Sequence, residues 1–318
     1  MQVAFFALNL WIGVQFYLWV RFYESGGAGV AVSRPAGVEG WLPIAALMNL
    51  KYLILTGEVP EMHAAGLFII IAFLVISFLL RKAFCSWLCP IGTLSEALWR
   101  IGRDIFRRNW VLPRAVDLPL RSLKYILLAL FLYAVGSMPA EAIAAFLAGP
   151  YGVIADVKML NFFRFLSTAG AVTIGVFLVA SVFVQNFWCR YLCPYGALMG
   201  IVSWLSPTRI RRNPDPCIDC GKCAKACPSA LPVDRLIQIT SVECTGCLAC
   251  VAECPAEGAL ALSLPKRRAV PAWAMAAAVV LIFAGSYGYA KYMGYWDTHL
   301  PDSVYLDLVP RAHELAHP

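Results

Sequence analysis

Long apolar stretches without charged residues dominate the pattern of this sequence. Four of them contain no Lys, Arg, Asp or Glu: residues 1–20, 64–80, 168–187 and 270–290. A fifth, about residues 123–140, carries Lys124 near one end. Each stretch approaches the roughly 20 residues that a helix needs to cross a bilayer. We therefore predict about five transmembrane helices, and we interpret Lys124 as a side chain that reaches out to the membrane interface.

The start of the sequence is expected to be the first of these spans. Residues 1–20 lack the basic segment that opens a secretory signal peptide, and their apolar run is long. Because no polar residues precede this run, we expect that a short basic N-terminal segment is missing from the sequence. A soluble protein with five buried helices is the alternative, but five such stretches exceed what one globular core needs.

Composition and charge support a membrane protein and give it an orientation. The chain is 60% hydrophobic and 14% charged, against about 25% charged residues in soluble domains. Of its 26 Lys and Arg residues, nine lie in segment 81–124 and ten in segment 188–268. Cytoplasmic loops retain basic residues, so we place both segments and the N-terminus in the cytoplasm and the tail 291–318 outside. The net charge of +7 is explained by anionic lipid and implies no nucleic-acid partner.

All twelve cysteines fall in four motifs that each end in Cys-Pro. Two of them, the dense motifs (residues 217–228 and 244–255), share the spacing Cys-x2-Cys-x2-Cys-x3-Cys-Pro. This spacing is typical of two-cluster ferredoxins, in which the fourth cysteine of each motif binds the other cluster. We therefore predict two [4Fe–4S] clusters. The first would be bound by Cys217, Cys220, Cys223 and Cys254, and the second by Cys244, Cys247, Cys250 and Cys227.

Other uses of the dense motifs fit less well. A zinc site takes two Cys-x2-Cys pairs with a longer spacer, so each motif has one cysteine too many. Disulfides are rare in the reducing cytoplasm. Gly221 and Gly246 are expected to adopt unusual backbone dihedral angles around the clusters. With residues 228–243 as a short helix and strand, residues 208–264 would form a small α+β ferredoxin domain that the clusters stabilise.

The other two motifs, the sparse motifs (residues 85–90 and 189–194), are copies of one pattern. Residues 84–94 match residues 188–198 at a constant offset of 104, which indicates a duplicated helix-hairpin unit. In a helix, Cys85 and Cys89 would project from one face, as would Cys189 and Cys193. The prolines that follow would then interrupt the helix at the membrane surface.

The chemistry of the sparse motifs stays open at this point. These cysteines could be small apolar residues in a packed helix end. They could instead converge to bind a further cluster or a soft metal ion such as Cu(I), cycle between dithiol and disulfide, or bind metal transiently. Haem is disfavoured, because the sequence has no Cys-x-x-Cys-His motif and none of its four histidines lies in the middle of a span.

Two residues on the outward side could take part in quinone oxidation. That reaction needs a proton acceptor beside an apolar cleft, and His63 or Asp156 could serve. The simpler interpretation is that both belong to charged helix caps and solvated loops.

The cysteine motifs resemble those of a known group of membrane proteins. The segments Phe84–Pro90, Cys189–Pro194 and Cys217–Cys254 are similar to the NapH/NosR/CcoG group of polytopic iron–sulfur membrane proteins, and to its YccM branch in particular. The similarity extends over nearly the whole chain. It implies a bacterial inner-membrane protein that passes electrons between a quinone or redox partner and two cytoplasmic [4Fe–4S] clusters. Unlike NosR, the chain has no large flavin-binding domain, and its fifth span distinguishes it from NapH.

The expected architecture is therefore a polytopic α-helical membrane protein with duplicated Cys-x3-Cys-Pro units and an inserted ferredoxin domain. Residues 1–207 would form the membrane domain, residues 208–264 the ferredoxin domain, and residues 265–318 the final span and outward tail. The expected role is an electron-carrier subunit, as in a quinol dehydrogenase, rather than a stand-alone enzyme. A copper reductase that uses the sparse thiols, and an assembly scaffold without redox function, are the alternatives.

Overall fold

A computed structural model of the chain describes residues 1–107, 110, 112–265 and 268–317. Arg108, Lys266 and Arg267, which belong to the segments assigned to the cytoplasm, lie outside the described residues. The α-helices are α1 (Gln2–Glu24), α2 (Pro43–Thr56), α3 (Ala64–Leu80), α4 (Ala83–Trp87), α5 (Pro90–Phe106), α6 (Arg114–Ser137), α7 (Ala140–Ala148), α8 (Pro150–Val153), α9 (Ala155–Arg164), α10 (Thr168–Phe183), α11 (Pro194–Trp204), α12 (Lys222–Lys225), α13 (Ala249–Ala252), α14 (Ala272–Tyr292) and α15 (Asp302–Leu308). A 3₁₀-helix covers Ala36–Trp41, and a π-helix covers Trp188–Leu192.

Each of the five apolar stretches forms a helix. Helices α1, α6 and α14, with 23, 24 and 21 residues, are long and apolar enough to cross a membrane. Helices α9 and α10 would together make a fourth span that is bent by 82°. Helix α3 is apolar and has 17 residues, at the short end of the range for a transmembrane helix. The described residues thus contain three or four candidate spans, and the fifth stays a prediction.

Two helix ends differ from the positions expected from the sequence. Helix α6 begins at Arg114 rather than near residue 123, and its added turns carry Asp117. The Asp117 carboxylate accepts hydrogen bonds from Arg190 Nε at 2.9 Å and from the Tyr191 hydroxyl at 2.6 Å, which hold these turns in place. Helix α10 ends at Phe183, before Asn186 adopts a φ of +51° that interrupts regular helix geometry.

A small antiparallel sheet closes the segment that carries the dense motifs. Strands β1 (Arg209–Arg212), β2 (Leu260–Ser263) and β3 (Ala269–Val270) lie in the order β1-β2-β3. Ile210 pairs with Leu262, and both side chains are buried. Because β1 precedes the dense motifs and β2 follows them, their pairing brings the two ends of this segment together.

The expectation of a helix and a strand in residues 228–243 is wrong. These residues form turns, with one isolated bridge between Gln238 and Arg211. Pro228 and Pro232 cannot donate the backbone hydrogen bonds of a regular element. The apolar side chains of this segment, which include Val233, are used instead to line a cavity beside the cysteines.

The chain divides into two compact units. The first unit comprises residues 1–6, 73–129 and 172–282 and contains every cysteine. The second unit comprises residues 7–72 and 130–171 and the described residues from 283 onwards. In the core of the second unit, Trp19 packs against Tyr23 and Tyr305, with ring centroids 4.8 and 4.9 Å away.

The second unit also encloses a network of charged side chains. Arg34 lies between Glu39 and Asp156, with N–O distances of 3.0 and 2.7 Å. His63 Nδ1 is 3.4 Å from Glu39 Oε1, and His63 Nε2 is 2.8 Å from the carbonyl oxygen of Gly152. His63 and Asp156 are buried, so the interpretation that they belong to solvated loops is wrong. A role of either as proton acceptor beside an apolar cleft stays a prediction.

Glu39 is ionised inside this network. Burial by itself would raise the pKa of Glu39, but the charge of Arg34, with a further contribution from His63, outweighs burial and lowers it to about 2. An unfolded chain titrates this carboxyl group near pH 4.3, as a rough value. The folded state therefore gains the full stabilisation from Glu39 above that pH, and loses it as the pH falls towards 2.

The substitution Glu39→Gln is expected to destabilise the protein. It leaves Arg34 and His63 without their shared counter-ion, and breaking a buried ion pair costs about 3–5 kcal/mol. Thermal unfolding of the detergent-purified protein would measure the loss. Glu58→Gln, at an exposed position of the same unit, is the control and should change little. Equal unfolding temperatures for the two variants between pH 6 and 8 would contradict this account of the network.

Candidate metal centre

The first sparse motif lies at a break between helices. After α3 ends at Leu80, Arg81 adopts a φ of +62°, and Cys85 lies in the short helix α4. Cys89 is the N-cap of α5, with extended backbone, and Pro90 is the first residue of that helix. Proline suits this position because the first N–H groups of a helix have no partner within it. The prediction that Cys85 and Cys89 share one face of a continuous helix is therefore wrong.

The second sparse motif repeats this arrangement. Cys189 lies in the π-helix, Cys193 is the N-cap of α11, and Pro194 is its first residue. The N–H of Gly196 donates a hydrogen bond to Cys193 Sγ at 3.2 Å, as expected for a side chain that caps a helix. In both copies the Cys-Pro step begins a helix rather than interrupting one, which corrects the role predicted for Pro90 and Pro194.

The first copy folds back on itself more tightly than the second. A Cβ atom on Gly92 would lie 2.2 Å from the carbonyl oxygen of Cys85, a distance that no side chain can occupy. At the equivalent Gly196, the nearest atom to a Cβ would be Cys193 Sγ at 3.6 Å, which is an ordinary contact. Only glycine therefore fits at position 92, whereas position 196 has room for alanine.

The four thiols of the sparse motifs lie near one another. Burial raises the pKa of Cys189 well above its usual range, and the charges of Cys193, Cys89 and Cys85 raise it further. Burial also raises the pKa of Cys85; the charge of Lys82 opposes this shift, and the charges of Cys89 and Cys193 add to it. Charges influence each other this way only at short range. The two copies thus place their cysteines in the same buried region.

Peptide N–H groups offset part of the cost of burying these thiolates. Burial raises the pKa of Cys89 to about 11, although the N–H of Gly92 lowers it. Burial likewise raises the pKa of Cys193, against the hydrogen bond from Gly196. Donors at a helix N-terminus stabilise a thiolate, and a bound metal centre would stabilise it further. Four clustered cysteines, two of which cap helices, are a donor set that fits a thiolate-bound metal centre.

Within the described part of the chain, no three His, Cys, Asp or Glu side chains are grouped closely enough to hold a single metal ion. This finding concerns sites for one ion. In a [4Fe–4S] cluster each thiolate binds a different iron atom, so its ligands stand further apart.

The cysteines expected to bind the second cluster line one cavity. Cys227, Cys244, Cys247 and Cys250 all contribute to its wall, which is otherwise made of apolar, Ser, Thr and Gly residues. Burial raises the pKa of Cys247 to about 12. Four thiols around an otherwise uncharged cavity fit a [4Fe–4S] cluster, whose irons would stabilise the thiolates that burial disfavours.

The cysteines expected to bind the first cluster lie closer to the surface. Cys220 is exposed, and Cys217, Cys223 and Cys254 are partly exposed. Burial raises the pKa of Cys223, and the charge of Cys254 is among the groups that raise it further. Cys254 is therefore close to Cys223 although 31 positions separate them in the sequence. Such a crossed arrangement is the one that two-cluster ferredoxins use.

The glycines of the dense motifs have the predicted conformation. Gly221 and Gly246 have φ angles of +68° and +61°, in the left-handed region that glycine occupies without strain. A Cβ atom on Gly246 would also lie 3.1 Å from the carbonyl oxygen of Leu80. This turn of the dense motif therefore packs directly against the chain that leads into the first sparse motif.

Side chains of the first sparse motif bind this turn. The Ser86 hydroxyl donates to the carbonyl oxygen of Thr245 at 2.8 Å, and Trp87 Nε1 donates to that of Gly246 at 3.1 Å. Thr245 and Gly246 lie between Cys244 and Cys247, two of the cysteines that line the cavity.

The second sparse motif binds the other loop of the same cavity. Arg190 Nη1 donates to the carbonyl oxygen of Ser229 at 2.8 Å, and Asn186, just before the motif, donates to that of Pro228 at 3.3 Å. Pro228 and Ser229 directly follow Cys227. Both sparse motifs are thus fixed to loops that carry cysteines of one cavity.

Known protein families match the same segments. A family described as "4Fe-4S binding domain" matches residues 62–113 and again residues 166–213, so each match contains one sparse motif. A family described as "4Fe-4S dicluster domain" matches residues 209–255, which contain both dense motifs. The chain therefore carries 4Fe–4S binding domains.

Individual relatives match over longer stretches. YccM of Escherichia coli (strain K12), named as a candidate electron transport protein, is 52% identical over 322 residues, which cover 99% of this chain and 90% of YccM. The chain belongs to the YccM family. The regulatory protein NosR of Pseudomonas aeruginosa is 33% identical over 66% of this chain and 29% of its own length. The ferredoxin-type protein NapH of E. coli is 26% identical over 55% of this chain and 59% of its own length. No solved structure matches.

The structure of this YccM-family protein contains buried charges that the sequence did not reveal. Lys124 does not reach the membrane interface as predicted, because it is fully buried and its Nζ lies 2.6 and 2.7 Å from the carboxylate oxygens of Glu243. Lys82 Nζ lies 3.5 Å from the same carboxylate. A lysine inside an apolar helix was the available signal, but nothing in the sequence identifies a partner 119 residues away.

Alanine substitutions should affect the stability of the two copies of the sparse motif differently. Gly92→Ala is expected to destabilise the protein by about 1–3 kcal/mol, because its Cβ would collide with the Cys85 carbonyl group. Gly196→Ala is the matched control and should be neutral or slightly stabilising, since alanine favours a helix. Thermal unfolding of the anaerobically purified protein would measure both effects. Equal destabilisation by the two substitutions would contradict the tight turn in the first copy.

Proposed function

We propose that this YccM-family protein is a membrane-bound iron–sulfur electron-transfer protein. It relays electrons between a quinone or another redox partner and two [4Fe–4S] clusters on the cytoplasmic side of the bacterial inner membrane. The observation that carries this proposal is the attachment of both sparse motifs to the two cysteine loops of one cavity. The name of YccM as a candidate electron transport protein and that of NapH as a ferredoxin-type protein are consistent with it.

Each dense motif would contribute ligands to both clusters. Cys217, Cys220, Cys223 and Cys254 would hold the first cluster, and Cys244, Cys247, Cys250 and Cys227 the second. When bound, such clusters supply reversible one-electron chemistry. The charge of Cys223 is among those that raise the pKa of Cys250, after burial and its nearer thiols. The two ligand sets are therefore neighbours, as electron exchange between two clusters requires.

The sparse motifs would hold a third centre. Cys85, Cys89, Cys189 and Cys193 lie near one another, and the "4Fe-4S binding domain" family matches both segments that carry them. We assign to them a thiolate-bound iron–sulfur centre. The hydrogen bonds from Ser86, Trp87 and Arg190 would then keep this centre at a fixed distance from the second cluster.

The membrane arrangement is part of the proposal. Five spans, with helix α3 as the shortest, would place the residues that follow α3 and α10 in the cytoplasm, in agreement with their basic residues. Residues 1–207 would then form a membrane domain built on duplicated Cys-x3-Cys-Pro units. Residues 208–264 would be its cytoplasmic ferredoxin domain, and the last span would lead to an outward tail.

Iron and sulfide analysis of the anaerobically purified protein, with EPR spectroscopy, tests these assignments. We expect about twelve iron atoms per chain, from three four-iron centres. Cys89→Ser and Cys193→Ser should each lower this number to about eight and remove one EPR signal. Cys247→Ser should also give about eight iron atoms but remove a different signal. Ser137→Ala, at an exposed position of the second unit, is the control.

Other outcomes would identify which assignment fails. About eight iron atoms in the unchanged protein, with Cys89→Ser having no effect, would refute the third centre. If copper then altered the EPR signals of the two clusters, the copper-reductase alternative would be favoured. About four iron atoms would refute the two-cluster assignment itself.

A further inference from the structure

The first unit buries more positive than negative charge. Among its described residues, the buried cations are Arg81, Lys82, Lys124 and Arg190, whereas the buried anions are Asp117 and Glu243. Taking an ion out of water is costly unless an opposite charge compensates it. This excess of two cations therefore calls for anionic groups in the same region.

Two of these cations form close ion pairs with carboxylates. Arg190 forms two hydrogen bonds with Asp117, at 2.9 and 3.1 Å. Lys124 binds both oxygens of Glu243. The charge excess therefore resides on Arg81 and Lys82.

Of these two, Arg81 is bound to neutral acceptors. Its Nη1 donates to the carbonyl oxygen of Ser203 at 3.0 Å, and its Nη2 donates to that of Ser241. The guanidinium group thus ties two loops together through hydrogen bonds that satisfy two of its nitrogen atoms.

Lys82 shares its carboxylate partner, Glu243, with Lys124. Its nearest carboxylate oxygen, on Glu243, is 3.5 Å away and already accepts the shorter bonds from Lys124. Burial lowers the pKa of Lys82, but the charges of Glu243, Cys85 and Cys189 outweigh burial, so that the shift is upward. The cysteines that act on Lys82 belong to the first and the second sparse motif.

The fold places Lys82 so that it can act on both motifs. It is the N-cap of helix α4, which carries Cys85. Its Nζ would be 3.8 Å from a Cβ atom at Gly200, on helix α11, whose N-cap is Cys193. The ammonium group therefore lies next to the helix that begins at the second motif.

We propose that the Lys82 ammonium group is the counter-charge of an anionic thiolate-bound centre held by Cys85, Cys89, Cys189 and Cys193, and that it thereby raises the reduction potential of this centre. This inference rests on the third centre assigned above. In the reaction concerned, the centre gains one electron from the redox partner and no bond is made or broken. Lys82 keeps its proton throughout. Its positive charge favours the reduced state of the centre, which is the more negative one.

Redox titration followed by EPR, on the anaerobically purified full-length protein, tests this role. Lys82→Met removes the charge and should lower the midpoint potential of the third centre. A tenfold change in the reduction equilibrium, which is 59 mV for a one-electron couple, would be a clear effect. Glu243→Gln removes the opposing negative charge and should shift the potential upwards. Lys291→Met, at an exposed ammonium of the second unit, is the control and should leave the potential unchanged.

Potential shifts of opposite sign would distinguish an electrostatic role of Lys82 from a packing defect. The inference is supported if the two substitutions shift the potential in opposite directions, or if Lys82→Met loses the centre while Glu243→Gln retains it with a raised potential. It is overturned if both variants keep the original potential, shift it in the same direction, or lose the centre together. Iron analysis of the unchanged protein distinguishes these results from failure of the proposed function, since without a third centre it would give about eight iron atoms per chain.

Discussion

Hydrogen bonds to backbone carbonyl groups of the dense motifs are the interaction on which the candidate metal centre depends. Trp87 and Ser86 bind the turn between Cys244 and Cys247, and Arg190 binds the loop after Cys227. A partly buried donor that loses its acceptor costs about 1–3 kcal/mol. These contacts therefore fix the register between the sparse and the dense motifs, and the separation between the centres proposed for them depends on that register.

The duplication in the sequence acquires a structural meaning from these contacts. At the offset of 104, Ser86 corresponds to Arg190, and each binds a loop of a different dense motif. The first cysteine of each copy lies in a short helical segment, and the second caps a long helix. Each copy of the sparse motif thus contacts a loop of one of the two dense motifs. The copies have nevertheless diverged, as the crowding at Gly92 and the space at Gly196 show.

Features that depend on local spacing could be predicted from the sequence, whereas features that depend on distant partners could not. The apolar helices and the positive φ angles of Gly221 and Gly246 follow from residues close together in the chain. The break at Cys89 was missed, because two cysteines four positions apart fit a continuous helix as well. The burial of Lys124 was missed because its partner Glu243 is brought near only by the tertiary fold.

The balance of charge distinguishes the two buried networks. In the second unit, Arg34 and His63 face Glu39 and Asp156. Burial by itself would lower the pKa of His63, but the nearby Glu39 and Asp156 carboxylates outweigh burial and raise it. Each basic side chain of this network has a carboxylate partner.

The network of the first unit lacks that balance, because Arg81 binds backbone carbonyl groups and Lys82 shares the Glu243 carboxylate with Lys124. Thiols that stayed neutral would add no negative charge to this region. The charge of Lys82 becomes favourable once the thiols are ionised, and cysteine binds metal in its ionised form. The excess of buried cations therefore supports the proposal that these four cysteines bind a metal centre rather than only fill space.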